Sequence, residues 1–368
     1  MSAPAPAAQR RHHRFRIPKM LRRVVGVAIA VVLIYYVLVK LSTQKGHVSL
    51  LTHINLGFVA AGLVLEAASL VAYALLTRSV LTQFGPTPTL ARILRVDLAT
   101  LAVTRVIPGG SAAGTGLGFR LLTEAGVRKS DAGLTLAVQS IGSAVILNSL
   151  LWVGLVLSIP LRALTHTAGD TSAIPKVFYV AAAFIGVVLV GFFGFVVFGL
   201  TRGEEKSLRV VRAVCRRVKF LDEESVVALV ERVADQLRLM AANRKLLGQA
   251  VGFASLNWVL DAGALWVMLA AFHYHLQPDA LLICYSLGNI VAVIPLTPGG
   301  IGVVEFVLTS TLIVFGAPHD VAGLGVIAYR LVSFWLPIPV GGLSYLSLRV
   351  GHRVPEGRPE QAETAVDS

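Results

Sequence analysis

The sequence predicts an all-α, polytopic membrane protein: a helical bundle with inverted repeats and two re-entrant helical hairpins. Of its 368 residues, 55% are hydrophobic and only 14% are charged, whereas a soluble domain has about 25% charged residues. The apolar residues form runs of about 16 to 28, which is long enough for membrane segments. A third observation is a glycine-rich break in one apolar run that recurs at a fixed distance along the chain.

The positive charge lies at the ends of the apolar runs. The net charge is +13, and residues 1–23 hold only basic charged side chains. They are Arg10, Arg11, Arg14, Arg16, Lys19, Arg22 and Arg23. Charge placed in this way sets membrane orientation and attracts anionic lipids. We therefore expect anionic inner-leaflet lipids as partners and no nucleic acid, and a homo-oligomer is left open.

The chain divides into a basic disordered arm at 1–20, a transmembrane domain at 21–348 and a disordered tail at 349–368. Within the domain, long apolar spans are predicted at 21–41, 56–77, 134–159, 177–200, 246–272 and 321–348. Shorter apolar segments are predicted at 91–107, 112–126, 280–294 and 301–315. Residues 201–246 form a polar connector, which we interpret as cytoplasmic amphipathic helices on the membrane surface. The alternative is a docking site for a partner.

The distribution of Lys and Arg gives an orientation. With the N-terminus inside, the loops that carry most of the Lys and Arg all fall on one side. Those loops are 1–23, 78–95, 128–129, 201–246 and 349–358. The positive-inside rule therefore predicts a multi-pass protein of the cytoplasmic membrane with both termini in the cytoplasm.

The chain is organised around the break at Pro298–Gly300, which is followed by Glu305. A shift of 190 residues superposes Pro108–Gly110 on it, and also places Ala132–Leu134 on Ala322–Leu324. With the predicted orientation, one hairpin opens from the cytoplasm and the other from outside. Inverted repeats with interrupted helices indicate a transporter site near the membrane midplane.

The segments beside each break are short. About 15 to 17 residues make a helix of roughly 23–25 Å, which is less than the roughly 30 Å hydrocarbon core. We therefore expect two re-entrant hairpins whose tips approach each other. The alternative is four short, tilted complete spans. The positive-inside rule does not distinguish the two arrangements, because both place the charged loops on the same sides of the membrane.

The tips have the chemistry of an anion site. Proline ends the incoming helix, glycines allow a tight reversal, and the next helix directs free N–H groups at the centre. The predicted substrate-binding residues are Arg105, Pro108, Gly109, Gly110, Pro298, Gly299, Gly300, Gly302, Glu305 and Arg330. No catalytic residue, metal ligand or cofactor is predicted.

Each ionisable residue has more than one interpretation. Glu305 would bind a cationic head group or carry a proton, or else it is a helix N-terminal carboxylate stabilised by the dipole. Arg330 would hold lipid phosphate or pair with Glu305, and Arg105 would be a second phosphate ligand, alone or with Asp97. Two acids elsewhere in the spans, Glu66 and Asp261, are interpreted as structural, and a gating role is the alternative.

The residues 105–110 and 298–305 resemble the membrane domain of lysylphosphatidylglycerol synthetase/flippase proteins, and the resemblance extends over about residues 20–350. It implies a lipid-translocating helical bundle with re-entrant pairs. Some members add a soluble aminoacyl-transferase domain, which we do not expect in this chain. Residues 112–115 and 139–143 are neutral where the family pattern is charged, so a different head group or a divergent subfamily is left open.

We therefore predict a non-enzymatic flippase for an anionic lipid, either an aminoacyl-phospholipid or a polyprenyl-phosphate sugar. Its partners would be membrane lipids with phosphate head groups. The alternatives are a secondary transporter of a small soluble solute and a non-transporting partner of an envelope enzyme.

Overall fold

The computed structural model describes residues 54–107, 110–165, 178–189, 191, 232, 235, 243–292 and 297–350. These residues form helices joined by short turns, and no strand occurs among them. The predicted arm at 1–20 and the span at 21–41 lie outside the described residues. So do the tail beyond residue 350, nearly all of the connector at 201–246, and two of the predicted site residues, Pro108 and Gly109.

Ten α-helices occur in the described residues, with bounds that lie within a few residues of most predicted segments. They are α1 Leu56–Leu81, α2 Leu90–Val106, α3 Gly110–Glu124, α4 Lys129–Thr165, α5 Phe178–Leu189, α6 Arg244–Ala271, α7 Pro278–Ala292, α8 Val303–Val314, α9 His319–Arg330 and α10 Pro337–Val350. The segments Thr82–Phe84 and Pro298–Gly300 are 3₁₀ turns. A π-helical segment, Leu331–Trp335, joins α9 to α10.

Four helical segments of the described chain are long and apolar enough to cross a membrane. They are Leu56–Phe84, Lys129–Ser158, Arg244–Ala271 and His319–Val350. Large apolar side chains such as Val64, Val153 and Phe184 are more than half exposed on the outer faces, where lipid tails would surround them. The prediction of an all-α polytopic membrane protein is confirmed.

Helices α1 and α6 are antiparallel neighbours. At one end, the Asn55 N–H donates to the carbonyl of Ala271 at 3.2 Å. Further along, the Asn257 amide donates to the carbonyl of Ser69 at 3.0 Å and to its hydroxyl at 2.8 Å. Because the two helices are antiparallel, each step forward along α1 corresponds to a step backward along α6. These bonds therefore fix which residues of the two helices lie opposite each other.

The turns that follow α3 and α8 have the same geometry. Gly126 has a φ of 92° and Gly316 a φ of 90°, in the left-handed region where glycine is favoured at helix C-termini. The Gly126 N–H donates to Thr123 at 3.0 Å, and the Gly316 N–H donates to Ile313 at 2.9 Å. The offset of 190 residues seen in the sequence therefore relates equivalent backbone turns.

Glycines allow α3 to lie directly against α2. A Cβ added to Gly110 would overlap the backbone carbonyl of Thr104, and one added to Gly114 would overlap the Thr104 side chain. Gly116 lies on the other face of α3, and a Cβ there would meet nothing within 4 Å. Close approach through small residues is a common way for helices to associate in membranes.

This contact predicts opposite results for two neighbouring alanine substitutions. Gly114→Ala forces α2 and α3 apart and is expected to destabilise the protein by roughly 1–3 kcal/mol. Gly116→Ala, the matched control, gains helix propensity without a clash and is expected to be neutral or stabilising by up to about 1 kcal/mol. Thermal unfolding in detergent, followed by tryptophan fluorescence, measures both, and equal melting temperatures would contradict the contact.

Candidate functional site

The second tip is a tight backbone reversal just before α8. Gly299, Gly300 and Gly302 have φ values of 58°, 71° and 84°, which glycine adopts without the strain that other residues would suffer. The Thr297 hydroxyl donates to the carbonyl of Ile301 at 2.8 Å and closes the turn. The chain therefore enters α8 with its first backbone N–H groups directed back toward the tip.

Glu305 joins this tip to α9. Its Oε2 accepts from the Gly302 N–H at 2.7 Å, and its Oε1 accepts from Arg330 Nε at 2.7 Å. The side chains of Arg330 and Glu305 are only 9% and 17% exposed. A single carboxylate thus caps the helix and forms the ion pair, which are two of the roles that the sequence left open for these residues.

Two arginines meet at Phe334. The Arg330 guanidinium carbon lies 4.1 Å from the centre of the Phe334 ring, and that of Arg105 lies 5.3 Å from it. Arg105 Nη1 also donates to the Phe334 carbonyl at 2.9 Å, and Arg330 Nη2 donates to the Gly299 carbonyl at 3.3 Å. Cation–π contacts of this kind stabilise a guanidinium where water is scarce.

The Phe334 carbonyl, which accepts from Arg105, belongs to the π-helical segment. In this segment the Leu336 N–H donates to the Leu331 carbonyl, five residues back, at 2.9 Å. Pro337 and Pro339 follow, and proline has no N–H to donate to the preceding turn. The Phe334 carbonyl in this segment accepts from the Arg105 side chain. Single π turns within α-helices are often found at functional sites.

The end of α2 contacts the second tip. The backbone oxygen of Arg105 lies 2.8 Å from where a Cβ on Gly299 would stand, and the Phe334 ring lies 2.6 Å from the same point. The structure thus brings Arg105, Gly299, Glu305 and Arg330 together.

The other predicted site residues lie around this group or apart from it. Gly300 and Gly302 belong to the same turn as Gly299, and Pro298 begins its 3₁₀ helix. Gly110 packs on Thr104 at the start of α3 instead.

The site also includes acids that the sequence treated as structural. The Asp261 carboxylate accepts from the Tyr285 hydroxyl at 2.7 Å and from the Tyr329 hydroxyl at 2.9 Å. Glu66 interacts with Asp261 and lies in the electric field of Arg105. The sequence signal that could have identified these residues is the presence of an acid within each of two membrane spans. The partners of these acids lie on other helices and cannot be inferred from sequence spacing.

Asp97, the partner considered for Arg105, lies elsewhere. Its carboxylate accepts from the Thr77 hydroxyl at 3.0 Å, and Gln139 donates to the same hydroxyl at 2.9 Å. This polar group links α1, α2 and α4 and is separate from the two arginines at Phe334.

The segment that the sequence offset predicts to be a first repeat has no equivalent of the Glu305–Arg330 pair. The offset of 190 residues places Thr115 and Ser140 at those positions. The Thr115 hydroxyl donates to the Ser111 carbonyl at 2.8 Å, and the Ser140 hydroxyl donates to the Leu136 carbonyl at 2.7 Å. Each hydroxyl therefore bonds to its own helix, and the charged side chains of the site are Arg105, Glu305 and Arg330.

Known proteins resemble this chain over parts of different extent. A UPF0104 membrane protein of Methanothermobacter thermautotrophicus is 26% identical over 169 residues, which are 44% of this chain and 51% of that protein. A second from that organism is 23% identical over 299 residues, 77% of this chain and 81% of that protein. Glycosyltransferase AglD of Haloferax volcanii is 32% identical over 130 residues, 34% of this chain and 20% of that protein. The chain thus spans about half of the first relative and a fifth of AglD.

The match to a protein family covers nearly the whole chain. The sequence model of the family described as the lysylphosphatidylglycerol synthase TM region matches residues 23–341. That range includes both tips, Glu305 and Arg330, so the resemblance inferred from the motifs is confirmed. The chain belongs to the family of the lysylphosphatidylglycerol synthase TM region.

Proposed function

We propose that this protein is a non-enzymatic flippase, which moves an anionic lipid or lipid-linked head group across the cytoplasmic membrane. The observation that carries the proposal is the meeting of Arg105 and Arg330 at Phe334, beside the Gly299 tip. Charged side chains within membrane helices are costly and usually serve a substrate pathway.

Arginine chemistry favours a phosphate as the group that binds. A guanidinium is planar and offers paired N–H donors that match phosphate oxygens. The bonds described above use Nε and Nη2 of Arg330 and Nη1 of Arg105, which leaves other donors on both side chains for a ligand. In our proposal the phosphate replaces the Glu305 carboxylate on Arg330, while Glu305 keeps its bond to Gly302.

The position of the site also fits a lipid. Phe306, the residue after Glu305, is 71% exposed, so an apolar surface facing the bilayer lies one residue from the ion pair. A head group could occupy the two arginines while its acyl chains remain among lipid tails. A carrier for a soluble solute would instead need a cavity closed to the bilayer.

Helix lengths support the re-entrant arrangement proposed for the two hairpins. Helices α2, α3, α7 and α8 have 17, 15, 15 and 12 residues. At 1.5 Å per residue they are roughly 18 to 26 Å long, shorter than the roughly 30 Å hydrocarbon core. Together with the equivalent turns at Gly126 and Gly316, these lengths favour two inverted halves whose hairpin tips meet inside the membrane.

The comparisons suggest which lipids to test. The family description names lysylphosphatidylglycerol, and one relative is named a glycosyltransferase. Aminoacyl-phosphatidylglycerol and a polyprenyl-phosphate sugar therefore belong in the panel, with phosphatidylglycerol as a simple anion and phosphatidylcholine as a zwitterionic comparison.

The test is movement of labelled lipids between leaflets in proteoliposomes. Wild type is expected to move at least one anionic lipid at least about tenfold faster than Glu305→Ala, because loss of the carboxylate releases both the tip and Arg330. Glu124→Ala is the matched control, since Glu124 also pairs with an arginine, Arg120 at 2.7 Å, but on the exposed surface of α3. Equal rates for wild type and Glu305→Ala across the panel would reject the proposal in favour of a soluble solute or a non-transporting role.

A further inference from the structure

Two acids face each other near the middle of the helical pair α1 and α6. Glu66 is one turn before Ser69 on α1, and Asp261 is one turn after Asn257 on α6. Because Ser69 and Asn257 are bonded and the helices are antiparallel, Glu66 and Asp261 are opposed. Each is ten residues from one end of its helix, Leu56 or Ala271, which is about 15 Å and half of the hydrocarbon thickness.

The hydrogen bonding of this acid pair is incomplete. Both oxygens of Asp261 already accept tyrosine hydroxyls. Glu66 is only 5% exposed, and among the described residues no donor reaches its Oε2. The Asp261 carboxyl opposite Glu66 interacts with it electrostatically. Two ionised carboxylates are both acceptors, so these two groups can bond to each other only when one of them carries a proton.

We propose that Glu66 and Asp261 form a proton-binding site, and that a proton is taken up there when an anionic head group binds to Arg105 and Arg330. The substrate part of this inference rests on the proposed function. A proton fits the pair better than a metal cation, because a proton needs only two oxygens whereas a hard cation requires a shell of several oxygen ligands.

The charged groups around the pair explain the coupling. Glu66 faces Arg105 of α2 and Asp261 of α6, while Asp261 also faces Tyr285 of α7 and Tyr329 of α9. Asp97 is bonded at Thr77, eleven residues along α1 from Glu66, or about 16 Å away.

Charge balance links this pair to the arginine site. With both acids ionised, three carboxylates, including Glu305, stand against the guanidinium groups of Arg105 and Arg330. One proton on the Glu66–Asp261 pair makes the negative and positive charges equal. Binding of a phosphate diester then adds one negative charge. Anion binding and proton uptake must therefore favour each other, and by thermodynamic linkage the effect is reciprocal.

Tyr329 and Arg330 give the coupling a physical connection. They are consecutive residues at the end of α9, and one bonds to Asp261 while the other bonds to Glu305. Loss or gain of a proton at Asp261 changes what the Tyr329 hydroxyl bonds to, and any movement of this turn also moves Arg330.

The proton itself can be observed without any lipid substrate. Infrared difference spectra of the reconstituted wild type are expected to show the carbonyl-stretching band of a protonated carboxyl group. Glu66→Gln and Asp261→Asn, which keep the side-chain shape, are each expected to remove that band, and Glu124→Gln on the protein surface is expected to keep it. Absence of the band in wild type across a pH series would overturn the inference, as would its persistence in both variants. Loss of the band on adding sodium chloride, but not choline chloride, would show a metal cation instead.

Coupling is measured by calorimetric titration of short-chain phosphatidylglycerol in two buffers with different heats of ionisation. Wild type is expected to take up a proton, close to one per bound lipid, at the pH where its carboxyl band is lost, and Glu66→Gln to take up none. Lipid binding without proton uptake would overturn the coupling and leave the flippase proposal intact. Failure of any lipid to bind, with the carboxyl band present, would count against the flippase proposal while supporting the proton site.

Discussion

Replacement of Arg330 by glutamine is expected to stop lipid movement and to destabilise the protein by about 3 kcal/mol, which is the cost of leaving one member of a largely buried ion pair alone. Arg330 contacts Glu305, the Gly299 carbonyl and the Phe334 ring. Its loss leaves a carboxylate that is 17% exposed and that has, among the described residues, only the Gly302 N–H as a partner.

A double substitution separates binding from stability. In Arg330→Gln combined with Glu305→Gln, no uncompensated charge remains, and the side-chain amide carbonyl introduced by Glu305→Gln can still accept from the Gly302 N–H. Neutral replacement of both members of a buried pair is often tolerated, so the unfolding free energy is expected to return to within about 1 kcal/mol of wild type. Lipid movement is expected to stay at the background rate, because no guanidinium is left at this position.

Melting temperature and leaflet-to-leaflet movement are measured on the same preparations. The control is the exposed pair on α3, changed in the same way to Arg120→Gln with Glu124→Gln. An exposed ion pair contributes at most about 1 kcal/mol, so this double variant is expected to behave like wild type in both measurements. Recovery of lipid movement in the Arg330/Glu305 double variant would mean that the pair is structural and does not bind the head group.

The sequence was informative wherever local chemistry is sufficient. Proline and glycine at 298–300 predict a break in any apolar run, and a carboxylate placed in the first turn of the next helix predicts a cap. The pairing of Glu305 with Arg330, 25 residues later, was among the alternatives because a buried charge in a membrane requires a partner.

Other parts of the site depend on tertiary geometry that no local pattern contains. Contact of Arg105 with Phe334 joins residues 229 positions apart and involves a residue of the π-helical segment. The opposition of Glu66 and Asp261 depends on the register between α1 and α6, which the Ser69–Asn257 bonds fix. Both acids were visible in the sequence, but without the register they could only be interpreted one at a time.

The second large effect is expected at Gly341, where α10 crosses α2. A Cβ on Gly341 would lie 2.7 Å from the Ala102 Cβ and would overlap the Leu98 carbonyl, whereas one on Gly342 would meet nothing within 4 Å. Gly341→Leu is therefore expected to destabilise the protein by about 3 kcal/mol, at the upper end of the usual cost of overpacking. Gly342→Leu is expected to change the unfolding free energy by less than about 1 kcal/mol, as substitutions away from tight contacts usually do.

The same substitution is expected to impair the candidate site as well as stability, because α2 and the segment that leads into α10 carry Arg105 and Phe334. Arg105 belongs to α2, one turn beyond Ala102, and Phe334 lies in the π-helical segment that leads into α10. Separating α10 from α2 at Gly341 therefore pulls the Phe334 carbonyl away from Arg105 Nη1. We expect Gly341→Ala, a milder wedge that still folds, to slow lipid movement in proteoliposomes more than about tenfold, since small misplacements of binding groups have large kinetic effects. If Gly341→Ala were destabilised but moved lipid at the wild-type rate, the contact between Arg105 and Phe334 would not be part of the transport site.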